Sequence, residues 1–158
     1  MRQIHMQPMK DRGLTTRYYD GRQEVFDIVR RRYVALTPEE NVRQQIIHFL
    51  HFQLNYPLEL MMVEGRITLN GMTRRCDVVV YNTSLQPVMI VECKRPEVSL
   101  SQHVADQACR YNLVLRVPYL YLSNGRQHWV GRVEEAEQRM VSLPALPAWN
   151  VLNAIRQE

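Results

Sequence analysis

No apolar stretch of this 158-residue sequence approaches the ~18–20 residues needed to cross a bilayer, which excludes a spanning helix. The first residues, MRQIHMQPMKDR, are polar and lack the apolar centre of a secretory signal. Cysteine is scarce: there are three, and none has the C-x-x-C spacing of a thiolate metal site. The expectation is a cytoplasmic protein with reduced thiols and no membrane partner. Internal repeats, low-complexity tracts and long linkers are absent as well. His48, His51, His103 and His128 share no convincing metal spacing, and the pair His48 and His51 on one helix has no third ligand. No nucleotide-binding glycine loop is present.

What is there suits one compact domain with a real core, since 46% of the residues are hydrophobic. The formal charge is +4, carried mostly by arginine. That balance suits a polyanionic partner through phosphate neutralisation, although the excess is mild.

Three stretches follow along the chain. Residues 1–36 form a basic N-terminal extension packed on the core. Phe26, Val29 and Tyr33 recur in it at helical spacing, which predicts a short peripheral helix with Arg30, Arg31 and Arg32 on its solvated face. Residues 37–133 form the main domain. Thr37-Pro38-Glu39-Glu40 is a helix start, with Thr37 as cap and Glu40 closing a capping box. The helix runs to about Leu54 on the stripe Val42, Ile46, Phe49 and Leu50, and Tyr56-Pro57 ends it. Strands are expected over 60–69, 74–81 and 88–94, the first two joined by a tight Asn70-Gly71 turn. A second helix begins near Ser99 with the stripe Leu100, Val104, Ala108, Tyr111 and Leu115. Strands over 118–122 and 127–133 flank a second turn at Asn124-Gly125. Trp129, Tyr119 and Tyr121 alternate along these strands as core and edge residues. Residues 134–158 form a C-terminal extension: a charged patch from Glu134 to Arg139, a loop, and a short helix from Trp149. The order predicts an α/β fold, with a mixed central sheet flanked by helices.

The chemistry concentrates on two strands. Val88, Ile90, Glu92 and Lys94 share one strand face, because side chains alternate with period two. If Tyr81 pairs with Val88, Asp77 stands directly opposite Glu92 on that face. Directly opposed carboxylates repel, at ~4.5–5.5 Å between Cβ atoms, and want a cation between them. A hard divalent ion such as Mg²⁺ takes this kind of oxygen site. Lys94, one step along, can position a metal-bound water or neutralise charge developing on a phosphate. An ordinary ion network of Asp77, Lys94 and Glu92 at the end of a hairpin has the same spacing, and both readings stand. In this register Cys76 and Cys93 face each other across the other side of the sheet as small buried hydrophobes.

Three further residues join the site. Gln107 falls within the apolar stripe of the second helix, so its amide points towards the sheet, either as a half-buried glutamine at the stripe's edge or as a group that orients a phosphate or a water. Glu39 lies on the sheet-facing side of the first helix, where it is either an additional metal or water ligand or a first-turn acid favoured by the helix dipole. Glu40 is accounted for by capping, although the choice between the two glutamates stays open.

Arg75-Cys76-Asp77-Val78-Val79-Val80-Tyr81, followed by Pro87 to Pro96 with Glu92-Cys93-Lys94 inside it, resembles the PD-(D/E)xK nuclease superfamily. The likeness is to the N-terminal nuclease domain of type I restriction enzyme R subunits. Glu39-x-x-Val42-Arg43, Gln107-x-x-x-Tyr111-Asn112 and Ser123-Asn124-Gly125 extend it over roughly Thr37 to Val133. The resemblance implies a restriction-endonuclease-like α-β-β-β-α-β core that cuts DNA phosphodiester bonds with Mg²⁺, which Mn²⁺ can replace. Asp77, Glu92 and Glu39 would hold metal, Lys94 would be the catalytic lysine and Gln107 the motif glutamine. Cys76 departs from the pattern, standing where the superfamily's name records a proline.

The sequence carries no G-x-x-x-x-G-K-[ST] loop. The expectation is therefore a cutting domain without the ATPase motor, acting alone or with other restriction-system subunits, and as a homodimer if both strands are cut. Two rival roles are a non-catalytic nucleic-acid-binding or assembly module with this fold, and a repair or junction-resolving nuclease.

Overall fold

The computed structural model describes residues 2–4 and 13–156; the remainder of the expected 1–36 and 134–158 extensions lies outside the described residues. Six strands form the central sheet in the order β4(Met61–Leu69), β5(Met72–Tyr81), β6(Pro87–Cys93), β7(Tyr119–Ser123), β8(His128–Glu134) and β9(Arg139–Ser142). β6 and β7 run parallel, and the other neighbours are antiparallel. A parallel pair needs a crossover, and α2(Gln102–Leu115) supplies it. This is the mixed sheet flanked by helices that the sequence predicts. Among the described residues, no helix is long and apolar enough to cross a membrane.

Each sheet face has its own core. α1(Pro38–Leu54) buries Val42, Ile46 and Leu50 against Val78, Val80, Met89, Val91 and Tyr121. On the other face, Ala105, Ala108 and Leu115 of α2 pack with Val79, Ile90, Leu120 and Trp129. The Thr37 hydroxyl accepts the Glu40 N–H at 3.0 Å, and Pro38 fills the first turn. Asn55, left-handed at φ 58°, ends the helix. The capping box stays open, however. The Glu40 carboxylate turns to Arg30 and Arg43, and the Thr37 N–H donates to the Ala35 carbonyl instead. Two charged donors outcompete one backbone N–H for a carboxylate.

Asn70 and Gly71 both have positive φ, at 51° and 77°, the backbone that a two-residue hairpin turn demands. α2 begins later than expected, with Ser101 rather than Ser99 as its cap. The Ser101 hydroxyl accepts the Val104 N–H at 3.3 Å, and the Gln102 amide donates to Asp106 instead of closing a box. The charged patch after β8 forms one 3-10 turn, Glu135–Glu137, and leads into β9, a strand the sequence does not announce. α3(Trp149–Asn153) follows and buries Leu152.

The largest correction lies before α1. Among the described residues no helix forms over 26–33; β1(Thr16–Tyr19), β2(Arg22–Asp27) and β3(Arg32–Ala35) make a separate antiparallel sheet. Phe26 and Tyr33 are cross-strand partners with ring centroids 5.3 Å apart. Their seven-residue spacing is therefore produced by a hairpin rather than by two helical turns. Its turn is closed by Arg31 at φ 55°. The sheet is tied to α1 through the fully buried Asp27, which accepts from Gln44 Nε2 at 2.9 Å and from Arg30 Nε at 2.5 Å.

Candidate active site

β5 and β6 pair from Tyr81↔Pro87 to Val78↔Val91, with an irregularity between Val80 and Tyr81. Tyr81 thus meets Pro87 rather than Val88, and beyond the bulge the register falls where the sequence places it. One rung further stand Asp77 and Glu92, and there the ladder stops. β4–β5 and β6–β7 pairing continues past this point, so the two central strands part locally. Asp77 fills the opening: its Oδ2 accepts the Cys93 N–H at 2.8 Å, in the position a backbone carbonyl would take.

The expected shared face is not what forms. Cys76 packs in the α2-side core and Val78 in the α1-side core, so β5 changes faces across Asp77. Its partner position on β4 is Glu64, between Val63↔Val78 and Gly65↔Cys76. Glu64 is left-handed at φ 53°, a strained backbone for a residue with a side chain. Asp77 consequently meets α1, where its Oδ1 accepts from Arg43 Nη2 at 3.0 Å. Glu92 points to the α2 side, as the alternation with Ile90 requires. Cys76 and Cys93, likewise, lie in opposite cores as buried free thiols rather than face to face.

Glu92 is 7% exposed. Its carboxylate is met by Arg74 Nη2, whose guanidinium carbon lies 4.7 Å from the centroid of the Tyr111 ring on α2. Burial pushes the Glu92 carboxyl above its ordinary pKa and Asp77 adds to the push, while Arg74 and Lys94 pull it down without cancelling the rise. Lys94 follows β6, its N–H donating to the Ser123 carbonyl at 2.8 Å. The residue is half-buried, and its charge acts on Glu92 without an ion pair within 4 Å among the described residues. Ser123, Asn124 and Gly125 fold the adjoining turn, with Ser123 Oγ accepting the Gly125 N–H at 3.0 Å.

Arg43 joins the acids on the α1 side. It is 5% exposed and reaches Glu39, Glu40, Glu64 and Asp77. Glu40 is the buried glutamate, and Glu39 stands at the mouth with its side chain 42% exposed, 3.6 Å from Arg43. Sequence reasoning passed over both Arg43 as the hub and Glu64, whose carboxylate meets Arg30, Arg43 and Arg75. The Glu64-Gly65 pair within a strand was the available signal, since glycine there marks a bulge or a close approach. A groove of about 450 Å³ opens beside these groups, lined among others by Arg22, Arg30, Tyr33, Glu39, Arg43 and Glu64.

Gln107 is exposed rather than within the buried stripe of α2. That stripe is Ala105, Ala108, Asn112 and Leu115. Tyr111, 41% exposed, flanks it on the side where Arg74 stacks, one turn after Gln107.

Comparison with curated proteins and with solved structures gives no match. A family model, Type I restriction enzyme R protein N terminus (HSDR_N), matches residues 38–147. The match opens on the first residue of α1 and closes beyond β9, so it holds both parted strands and every residue just described on them. This protein belongs to the family of type I restriction enzyme R protein N-terminal domains.

Proposed function

We propose that the chain is a divalent-metal-dependent DNA endonuclease domain that hydrolyses phosphodiester bonds. The observation that carries this reading is the parting of β5 and β6 at the rung of Asp77 and Glu92. There Asp77 enters the opening from the α1 side and Glu92 faces the α2 side close enough to feel its charge, with Lys94 two residues on. Membership of a restriction-enzyme family supports the same reading.

Among the described residues, no three His, Cys, Asp or Glu side chains converge as a ready-made ligand set. The donors present still fit a hard cation in kind. Two carboxylate oxygen donors stand at the rung where the β5–β6 ladder stops, and Asp77 is near enough to Glu92 to add to the rise that burial gives its carboxyl. Mg²⁺, or Mn²⁺ in its place, takes such oxygen sites while retaining several waters. Asp77 and Glu92 would hold the ion, with Glu39 at the mouth as a further ligand directly or through water. Bound there, it would supply an activated water and neutralise charge on the phosphoryl group.

The chain's own groups do the rest. Arg43 holds the Asp77 carboxylate in the gap through a charge-assisted hydrogen bond. The Lys94 ammonium, uncommitted to an ion pair, orients the attacking water and stabilises charge developing on a phosphate oxygen. Gln107, on the exposed flank of α2, contacts the substrate backbone. DNA is the substrate class. A homodimer would cut both strands, other restriction-system subunits would supply targeting, and the cytoplasm would keep the three thiols reduced.

The test is Mn²⁺- and Mg²⁺-dependent cleavage of plasmid and linear DNA by the wild type, Lys94→Ala and Asp77→Asn. Loss of roughly 10²-fold or more in rate is expected for both variants. Cleavage by Lys94→Ala at the wild-type rate would remove the assigned site. One observation favours a second reading: arginine caps both carboxylates, as in a non-catalytic nucleic-acid-binding module that keeps the fold. Metal-independent DNA binding with no cleavage by the wild type would select that alternative.

A further inference from the structure

Arg74 stands at the opening of the gap, and three observations on it converge. Its Nη2 donates to Glu92. Its guanidinium stacks on Tyr111. Its Nη1 is buried and has no hydrogen-bond partner among the described residues. A buried donor without an acceptor is uncommon in a native protein and calls for an explanation. The contrast with Arg43 is informative. Arg43 also has a buried nitrogen without a partner, Nε, but it contacts four carboxylates with its side chain 6% exposed, so it is fixed in place. Arg74 is held by one carboxylate and one ring, is 20% exposed along its side chain, and lies on a tyrosine that is itself 41% exposed. Rotation about its own side-chain bonds therefore carries it towards solvent without disturbing either core.

We propose that Arg74 is a displaceable counter-cation: it neutralises Glu92 while no divalent ion is bound, and engages a phosphate oxygen of the substrate once one is. The inference rests on the nuclease reading above. A buried carboxylate needs a positive partner in every state. Lys94 forms no ion pair with it, so in the metal-free state that partner is Arg74. When a divalent ion takes over this charge, the guanidinium becomes surplus beside Glu92. Its planar fork suits a phosphate, with Nη1 already lacking an acceptor. The Tyr111 face keeps the cation at the rim meanwhile, by cation–π attraction.

The test combines calorimetric titration of the full chain with Mn²⁺ alone and fluorescence anisotropy of a labelled DNA duplex in Mg²⁺, the latter in the Lys94→Ala background to suppress cutting. Arg74→Ala is expected to bind Mn²⁺ roughly tenfold more tightly, because no arginine has to be displaced. It is expected to bind DNA more weakly, with a dependence of log K on log salt shallower by about 0.9. Arg74→Lys, which keeps the charge, is expected to retain wild-type Mn²⁺ affinity. Equal Mn²⁺ and DNA affinities in the wild type and Arg74→Ala overturn the proposal while leaving the nuclease reading intact. Unchanged Mn²⁺ binding in Glu92→Gln overturns both, because Glu92 is then no ligand. Should Arg74→Ala alone fail to fold, Arg74→Ala/Glu92→Gln removes the uncompensated carboxylate. DNA affinity of that double variant below that of Glu92→Gln alone supports the phosphate contact, and equality overturns it.

Discussion

Asp77 Oδ2 accepts the backbone N–H of Cys93 at 2.8 Å, so a side chain occupies the place of a ladder carbonyl where β5 and β6 part. The same carboxylate also satisfies Arg43 Nη2 at 3.0 Å. Asp77→Asn keeps an oxygen for the Cys93 N–H, whereas Asp77→Ala orphans that donor and takes the acceptor from Arg43 Nη2, although Arg43 keeps Glu39, Glu40 and Glu64. Leaving a buried donor unpaired costs about 1–3 kcal/mol. Urea unfolding is therefore expected to place Asp77→Ala well below Asp77→Asn in midpoint, with both inactive in cleavage. Coincident midpoints would mean that the side chain does not hold the strands' geometry.

Two buried groups give the stability profile opposite slopes in pH. His128 Nδ1 lies 2.8 Å from Tyr121 Oη and 2.9 Å from Ser123 Oγ, and burial holds its pKa down to about 4 from an ordinary 6.5. The unfolded chain thus takes up the proton first. Stability from this group is intact above pH 6.5 and is lost as pH falls towards about 4. His128→Asn should flatten that limb in urea midpoints taken at pH 7.5, 6 and 5. Glu92 acts the other way, because burial raises its pKa above the ordinary 4.5. Its ionisation costs stability as pH rises from there through the folded value. The stability of Glu92→Gln relative to the wild type should therefore grow across that rise. A constant difference at all pH values would show that the carboxyl is not perturbed by folding.

Much of this was legible in residue order, for local reasons. Thr37-Pro38 and Asn70-Gly71 state their backbone requirements within two residues, and the Val78-Val79-Val80 run needs burial on both faces. The register bringing Asp77 level with Glu92 follows from the hairpin. What residue order concealed depends on partners distant in sequence. The Phe26–Tyr33 pair mimics helical spacing because a hairpin turn happens to hold the right number of residues. The face change at Asp77 comes from Glu64 on a neighbouring strand. Gln107 shares an apolar stripe only if Tyr111 belongs to the core, yet Tyr111 leans on Arg74 at the rim. Glu40 has the spacing of a capping box, but Arg30 and Arg43 claim its carboxylate.

Glu64 offers a separable test of that face change. Its backbone is left-handed at φ 53° although the next residue is glycine. Gly65 is committed elsewhere: a Cβ there would fall 2.1 Å from Met62 Cε. Glu64 therefore bears the strain, while its carboxylate is held by Arg30 at 3.0 Å, Arg43 at 3.4 Å and Arg75 at 3.3 Å. Glu64→Ala removes those contacts and keeps the backbone cost. Glu64→Gly removes the same contacts and relieves a left-handed penalty of about 1–2 kcal/mol, offset in part by glycine's greater freedom in the unfolded chain. Both should be less stable than the wild type at low salt, with Glu64→Gly the more stable of the two by about 1 kcal/mol in urea unfolding. If alanine is tolerated as well as glycine, the chain does not turn left-handed at this position, and the change of face at Asp77 must have another cause.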